Sequence, residues 1–216
     1  MTHFYDGASG VIFDCDGTLL DTMDIWNETE QALFATSKVK LNSQQMDQIR
    51  SAPIQEGAAL FYSYGVGESP EAVLEFLDTS LTGLYRDQVQ ALPGAKQLLV
   101  QLQQAHIPCA IVTSSPLRYV NPGLAHAGIA QYIDAVVTTD EVGLSKHDGS
   151  IYQHALDLIG AQRETSWGID DALYAVKAMR DFGLRTIGAY ECDETGTFEQ
   201  LEEAADIAVH SLEELL

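Results

Sequence analysis

Asp14, Asp16, Asp170 and Asp171, with Lys146, are the residues of this sequence whose types and spacing could do chemistry. Asp14 and Asp16 follow the apolar run Gly10-Val11-Ile12-Phe13, and Asp170-Asp171 follow Trp167-Gly168-Ile169. Thr113-Ser114 follow Cys109-Ala110-Ile111-Val112, and Lys146 lies in the loop beyond Ala135-Val136-Val137. In open parallel sheets, ligands bind outside the carboxyl ends of the strands, so these residues would face one crevice. Four carboxylates converging there would repel one another and raise some of their own pKa values unless a cation sat among them. Carboxylate, carbonyl and water oxygens suit Mg²⁺, which commonly bridges protein carboxylates to a phosphate. Lys146 and the Thr113 hydroxyl are then available for the remaining phosphate oxygens. Each residue also has a plainer reading. Asp14 and Asp16 could cap a turn, Asp170-Asp171 and Thr113-Ser114-Ser115-Pro116 could start helices, and Lys146 could be a solvated loop lysine.

The elements that must position these residues follow from the hydrophobic pattern. Five short β-rich runs, the fifth being Leu184-Arg185-Thr186-Ile187, are separated by stretches of helical length and period. The alternation predicts an α/β fold, a Rossmann-like parallel sheet flanked by helices. Residues 22–91 break it. They hold no convincing strand but do hold a helical stripe, Val73, Leu77, Leu81 and Leu84. The spacing predicts an inserted helical subdomain over 22–91, with a core domain formed by 1–21 and 92–216. Ser69-Pro70-Glu71 reads as the start of its third helix, with a cap, an early proline and acid in the first turn. Pro93-Gly94 marks the return to the core.

Composition narrows the classes. The formal charge of −21, from 32 acidic and 11 basic residues, repels nucleic acid and anionic membrane surfaces, and no basic patch offsets it. Acidic residues near the end, among them Glu191, Asp193, Glu194, Glu199, Glu202, Glu203 and Asp206, alternate with Leu201, Ala204 and Ala205 and read as a solvated helix face. No apolar run has membrane-spanning length, and Met1 to Gly10 lacks a secretory pattern, so a cytoplasmic monomer or weak dimer is expected. Cys15, Cys109 and Cys192 are too few and too scattered for a disulfide framework or zinc site. A cysteine phosphatase would need an Arg close behind its nucleophile, whereas Asp21, Ser115 and Phe198 stand there. There is no Gly-Lys-Ser/Thr phosphate loop, Gly-x-Ser-x-Gly elbow or His-Glu-x-x-His pair.

Asp14-Cys15-Asp16-Gly17-Thr18, the run ending in Thr113-Ser114, Lys146, and Asp170-Asp171 together resemble the four ordered motifs of haloacid dehalogenase-type hydrolases. The helical insertion is similar to the small cap of the β-phosphoglucomutase and phosphoglycolate phosphatase branch. The resemblance spans the whole chain. It implies a Mg²⁺-dependent phosphatase that hydrolyses a small phosphomonoester, a sugar phosphate or similar metabolite, through an aspartyl-phosphate. Asp14 would be the nucleophile, and Asp16 the general acid and base, a role that contributes typically about 10²- to 10⁴-fold. Asp14, the Asp16 backbone carbonyl, Asp170 and Asp171 would hold the metal. Lys146, Thr113 and the Ser114 amide would offset charge on the transferring group. Dehalogenases of the superfamily lack an acid at the position of Asp16, which points to phosphate. The branch's mutases carry a histidine ten residues after the second Asp, where this chain has Trp26, and this favours hydrolysis. The chain departs from the branch at Lys146-His147-Asp148-Gly149-Ser150, where a Pro-x-Pro-Asp commonly stiffens the loop, and at Ala172 and Ala175, commonly Ser and Gly. The alternatives are a phosphomutase, a signalling receiver domain and a non-catalytic phospho-ligand-binding protein. The insertion and the Asp-x-Asp-Gly-Thr spacing argue against the receiver.

Overall fold

The computed structural model describes residues 3–35, 37, 39–193 and 195–216, so Glu194 of the acidic stretch lies outside the described residues. Six parallel strands form one sheet: β1 (Gly10–Phe13), β2 (Cys109–Thr113), β3 (Ala135–Thr138), β4 (Ser166–Asp170), β5 (Arg185–Ala189) and β6 (Ile207–Val209), in the order β3-β2-β1-β4-β5-β6. The four residues of β1 are all buried, as a central strand covered on both faces requires. Val11 and Phe13 pack on one side with Leu98, Leu102 and Trp167. Ile12 packs on the other with Ile151, Leu156, Val176 and Met179. The order reverses at β1, and Phe13 stands in register with both Ile111 and Ile169. The ends of β2, β1 and β4 therefore come level at the switch point.

The fifth predicted strand runs from Arg185 rather than Leu184 and extends to Ala189. The sixth, Ile207–Val209, is absent from the sequence reading because three residues carry no measurable alternation. Within the acidic stretch, Phe198–Ala204 is a helix that buries Leu201 and Ala204 and leaves Glu199, Glu202 and Glu203 exposed, as expected.

Between β1 and helix α5 (Ala95–Gln104) lie four helices: α1 (Met23–Ala35), α2 (Ser43–Ser51), α3 (Ile54–Ser63) and α4 (Pro70–Asp87). The Ser69 hydroxyl accepts from the Ala72 amide at 3.1 Å, so α4 starts where the sequence indicates, although it is the fourth helix and not the third. Its buried stripe is Val73, Leu77, Leu81 and Tyr85. Leu84 is only half-buried, and the aromatic next to it takes the inward position. The chain leaves and re-enters the sheet layer side by side: the Asp21 amide donates to Gln90 O and the Leu92 amide to Leu19 O, both at 2.9 Å. Gly94 ends this crossing with φ +83°, and a Cβ there would lie 2.4 Å from the Glu213 backbone nitrogen, so glycine is required. The remaining helices are α6 (Leu117–His126), α7 (Thr139–Val142), α8 (Gly149–Ile159), α9 (Leu173–Phe182) and α10 (Phe198–Ala204). No helix among the described residues is long and apolar enough to cross a membrane.

Candidate active site

Asp14 stands where β1 stops, its amide donating to Ile169 O at 2.8 Å. Asp170 and Asp171 stand at the end of β4. One carboxylate oxygen from each of the three lies within 4.8 Å of the others, and all three side chains are buried. Lys146 reaches this cluster from the loop after β3 and α7. Its Nζ is 2.7 Å from Asp14 Oδ1 and 2.6 Å from Asp170 Oδ2. The missing prolines of its loop have substitutes. The Tyr152 hydroxyl of α8 donates to the Lys146 carbonyl at 2.8 Å, and the Lys146 amide donates to Ser51 O of α2 at 3.2 Å.

Electrostatics at the cluster follow from burial. Desolvation raises the Asp170 pKa to about 7, with Lys146 opposing and Asp14 reinforcing the rise. Asp171 is pushed well above the carboxylate range, again by burial first and then by Asp170 and Asp14. Burial works against the Lys146 ammonium, but Asp14 and Asp170 outweigh it and hold its pKa well above the usual value.

Asp171 Oδ2 is buried with no hydrogen-bond partner, an orphan acceptor in a cluster with more negative than positive charge. Gly17, at φ +81°, leaves room beside it, since a Cβ there would lie 2.9 Å from that oxygen. Hard carboxylate oxygens, an unpartnered one among them, fit a small divalent cation. Asp14, Asp170 and Asp171 would hold it.

Asp16 lies apart from these three acids. Its Oδ1 accepts from the Thr22 hydroxyl at 2.8 Å and from the Tyr85 hydroxyl, which in turn accepts the Trp26 indole N–H at 2.7 Å. Burial and Asp14 raise its pKa, opposed by hydrogen bonds from Tyr85, Ser115 and Thr22. The Thr113 hydroxyl accepts from the Ser115 amide at 3.0 Å, and the Ser114 hydroxyl is buried without a partner. All seven sequence-predicted residues, Asp14, Asp16, Thr113, Ser114, Lys146, Asp170 and Asp171, line one cleft between the carboxyl ends of the strands and helices α1 to α4. Trp26 and Tyr174 line it too. Cys15 is buried in the core, and burial raises its thiol pKa well above normal, so it is packing.

Several residues in or behind the cleft carried no sequence signal. Tyr85 and Thr22 hold Asp16 from the insertion and its approach, and Thr195 reaches the Asp171 carboxylate from the loop after β5. Half-buried Arg50 and buried Glu30 form an ion pair across α2 and α1. The only hint was the aromatic at position 85, beside the apolar stripe.

Sheet, switch point and cleft define an α/β protein with a candidate active site at the strand ends. The chain belongs to the haloacid dehalogenase-like hydrolase family, whose model matches residues 11–189. It is similar to the validoxylamine A 7'-phosphate phosphatase of Streptomyces hygroscopicus subsp. limoneus, 26% identical over 82% of this chain and 83% of that protein. It is also similar to the fructose-1-phosphate phosphatase YqaB of Escherichia coli, 24% identical over 85% of this chain and 97% of that one. Among solved structures, a hydrolase from Pseudomonas syringae superposes with a TM-score of 0.80 at 23% identity, covering 96% of this chain and 95% of that one.

Proposed function

We propose that this hydrolase is a Mg²⁺-dependent phosphatase of small phosphomonoesters, sugar phosphates or similar metabolites, working through an aspartyl-phosphate on Asp14. The observation that carries this reading is the buried Asp14-Lys146-Asp170 ion-pair chain beside an unpartnered Asp171 oxygen, in a cleft that also holds Asp16. An Asp14 oxygen attacks phosphorus in line, a P–O bond to Asp14 forms, and the ester P–O bond breaks. Asp16 gives its proton to the departing alkoxide. Water then attacks the acyl phosphate, Asp16 takes the water's proton, and inorganic phosphate leaves with Asp14 restored. Lys146, the Thr113 hydroxyl and the Ser114 amide bind the phosphoryl oxygens. A bound Mg²⁺ would supply further charge neutralisation at the transferring group.

In this reading residues 22–91 act as a cap over a core formed by 1–21 and 92–216, closing to exclude water from the first step and opening for the second. Trp26 supports hydrolysis over mutase chemistry: its indole N–H is committed to Tyr85, and an indole cannot exchange a proton with substrate at neutral pH. The names of both relatives, one a phosphatase of validoxylamine A 7'-phosphate and the other of fructose 1-phosphate, support the substrate class. The three widely spaced cysteines, which form no disulfide framework pattern, support a reducing, cytoplasmic setting.

The test is phosphate release from p-nitrophenyl phosphate and a panel of sugar phosphates, with and without Mg²⁺, for wild type and Asp14→Asn. Release that requires Mg²⁺ and vanishes in the variant is expected. Full activity of Asp14→Asn would sink the covalent mechanism.

A further inference from the structure

The cleft above the carboxylates measures about 120 Å³. Among the described residues lining it, two carry positive charge: Lys146 on the floor and Arg50 on the wall formed by α2. Lys146 is committed to Asp14 and Asp170. Arg50 is committed as well. Its Nε donates to Glu30 Oε1 at 3.2 Å and its Nη2 to Glu30 Oε2 at 2.6 Å, a two-pronged pair that ties α2 to α1. The Glu30 side chain is 8% exposed and that of Arg50 20%. Asp47, on the same helix as Arg50, also lines the cleft. The rest of this wall is apolar: Trp26, Ile54, Phe61 and Leu77.

This wall would meet the part of a substrate that is not being transferred. A second anionic group there would need a cation, and the one cation holds a buried carboxylate. Drawing Arg50 away would leave Glu30 charged, buried and alone, a strongly unfavourable state. Leaving the pair intact would face the anion with two carboxylates against one guanidinium. Hydroxyl groups meet neither obstacle. Arg50 uses two of its five N–H donors on Glu30. The others, and the remaining carboxylate lone pairs, can serve neutral donors and acceptors, while Trp26 and Phe61 cover C–H faces. Building on the phosphatase reading, we propose that Glu30 and Arg50 form a selectivity pair that admits an uncharged, hydroxylated leaving group and rejects a second phosphate.

The experiment measures inhibition of p-nitrophenyl phosphate turnover at saturating free Mg²⁺, so that no competitor need itself be turned over. The competitors are fructose 1-phosphate, glucose 1-phosphate and their bisphosphate counterparts, fructose 1,6-bisphosphate and glucose 1,6-bisphosphate. Each monophosphate is expected to bind at least about tenfold more tightly than its bisphosphate, an underestimate of what an unpaired buried charge would impose. In Glu30→Gln, which keeps the volume and frees the guanidinium charge, that ratio should fall by about tenfold or more. If that variant does not fold, the wild-type ratios alone decide. Bisphosphates binding as tightly as monophosphates overturn the selectivity pair and leave the phosphatase standing, and monophosphates that fail to compete overturn the hydroxylated class. Absence of any Mg²⁺-dependent turnover overturns the phosphatase reading, and this inference with it.

Discussion

Asp16 receives hydrogen bonds from Thr22, just before α1, and from Tyr85, near the end of α4. Because the Tyr85 oxygen accepts the Trp26 N–H, its own proton is directed to Asp16. Tyr85 is therefore a positioning residue for the proposed acid. Tyr85→Phe removes one donor to Asp16 and takes from the half-buried Trp26 indole N–H its partner, a loss of about 0.5–1.5 kcal/mol. For alkyl phosphates, whose alkoxide needs the Asp16 proton, kcat/KM should fall about tenfold or more. For p-nitrophenyl phosphate it should fall far less, because that phenolate departs unprotonated and kcat/KM reports only the steps through phosphoenzyme formation. An equal loss across leaving groups would reduce Tyr85 to a packing residue.

The helix α3 lacks a cap of its own, since Pro53 at its N-cap position offers no side-chain hydrogen bond. The Asp140 carboxylate of α7 accepts the Ile54 amide at 2.9 Å instead, placing negative charge at the helix N-terminus. A few residues away, the Lys146 amide donates to Ser51 O. The α2–α3 turn is thus clamped to α7 and to the loop that follows it, both beyond the end of β3. Asp140→Ala should cost about 0.5–2 kcal/mol in urea unfolding. Amide hydrogen exchange should quicken in the first turn of α3 while β1 stays protected, because the clamp lies outside the sheet. Unchanged exchange at Ile54 would show that the contact does not hold the insertion.

At the scale of the whole molecule, the buried acids couple metal binding to global stability. Desolvation lifts Asp170 from its ordinary 3.8 to about 7, so between those values the metal-free native state binds more protons than the unfolded chain. Its contribution to stability is therefore full below the lower value and is lost as pH rises through the upper one. A cation at these carboxylates competes with the proton, so Mg²⁺ should stabilise more strongly as pH rises. Thermal unfolding with and without Mg²⁺ should show a shift at pH 8 at least about 3 °C larger than at pH 5.5, from roughly 1.4 kcal/mol per pKa unit. A shift independent of pH would place the bound ion away from Asp170.

The sequence by itself determined the alternating fold and the residues at the strand ends. Burial on both faces of a parallel sheet forces continuous apolar runs such as Val11-Ile12-Phe13, and a run that stops at acid marks the crevice. Asp14, Asp16, Thr113, Ser114, Asp170 and Asp171 were legible for that reason, each directly following an apolar run, whereas Lys146 was legible only by its order among the motifs of the resemblance. Other features have no local signature. The sheet places β1 between β2 and β4, which brings Asp14 beside Asp170 across a separation of 156 positions of chain. Tyr85 reaches Asp16 only because α4 packs back over the first turn, and Glu30 meets Arg50 only because α1 and α2 converge. The third dimension also supplied the support for Lys146, through Tyr152 and Ser51 in place of prolines. Periodicity reports which face of an element is buried, but partners across elements are chosen by packing, and that choice exists only once the chain has folded.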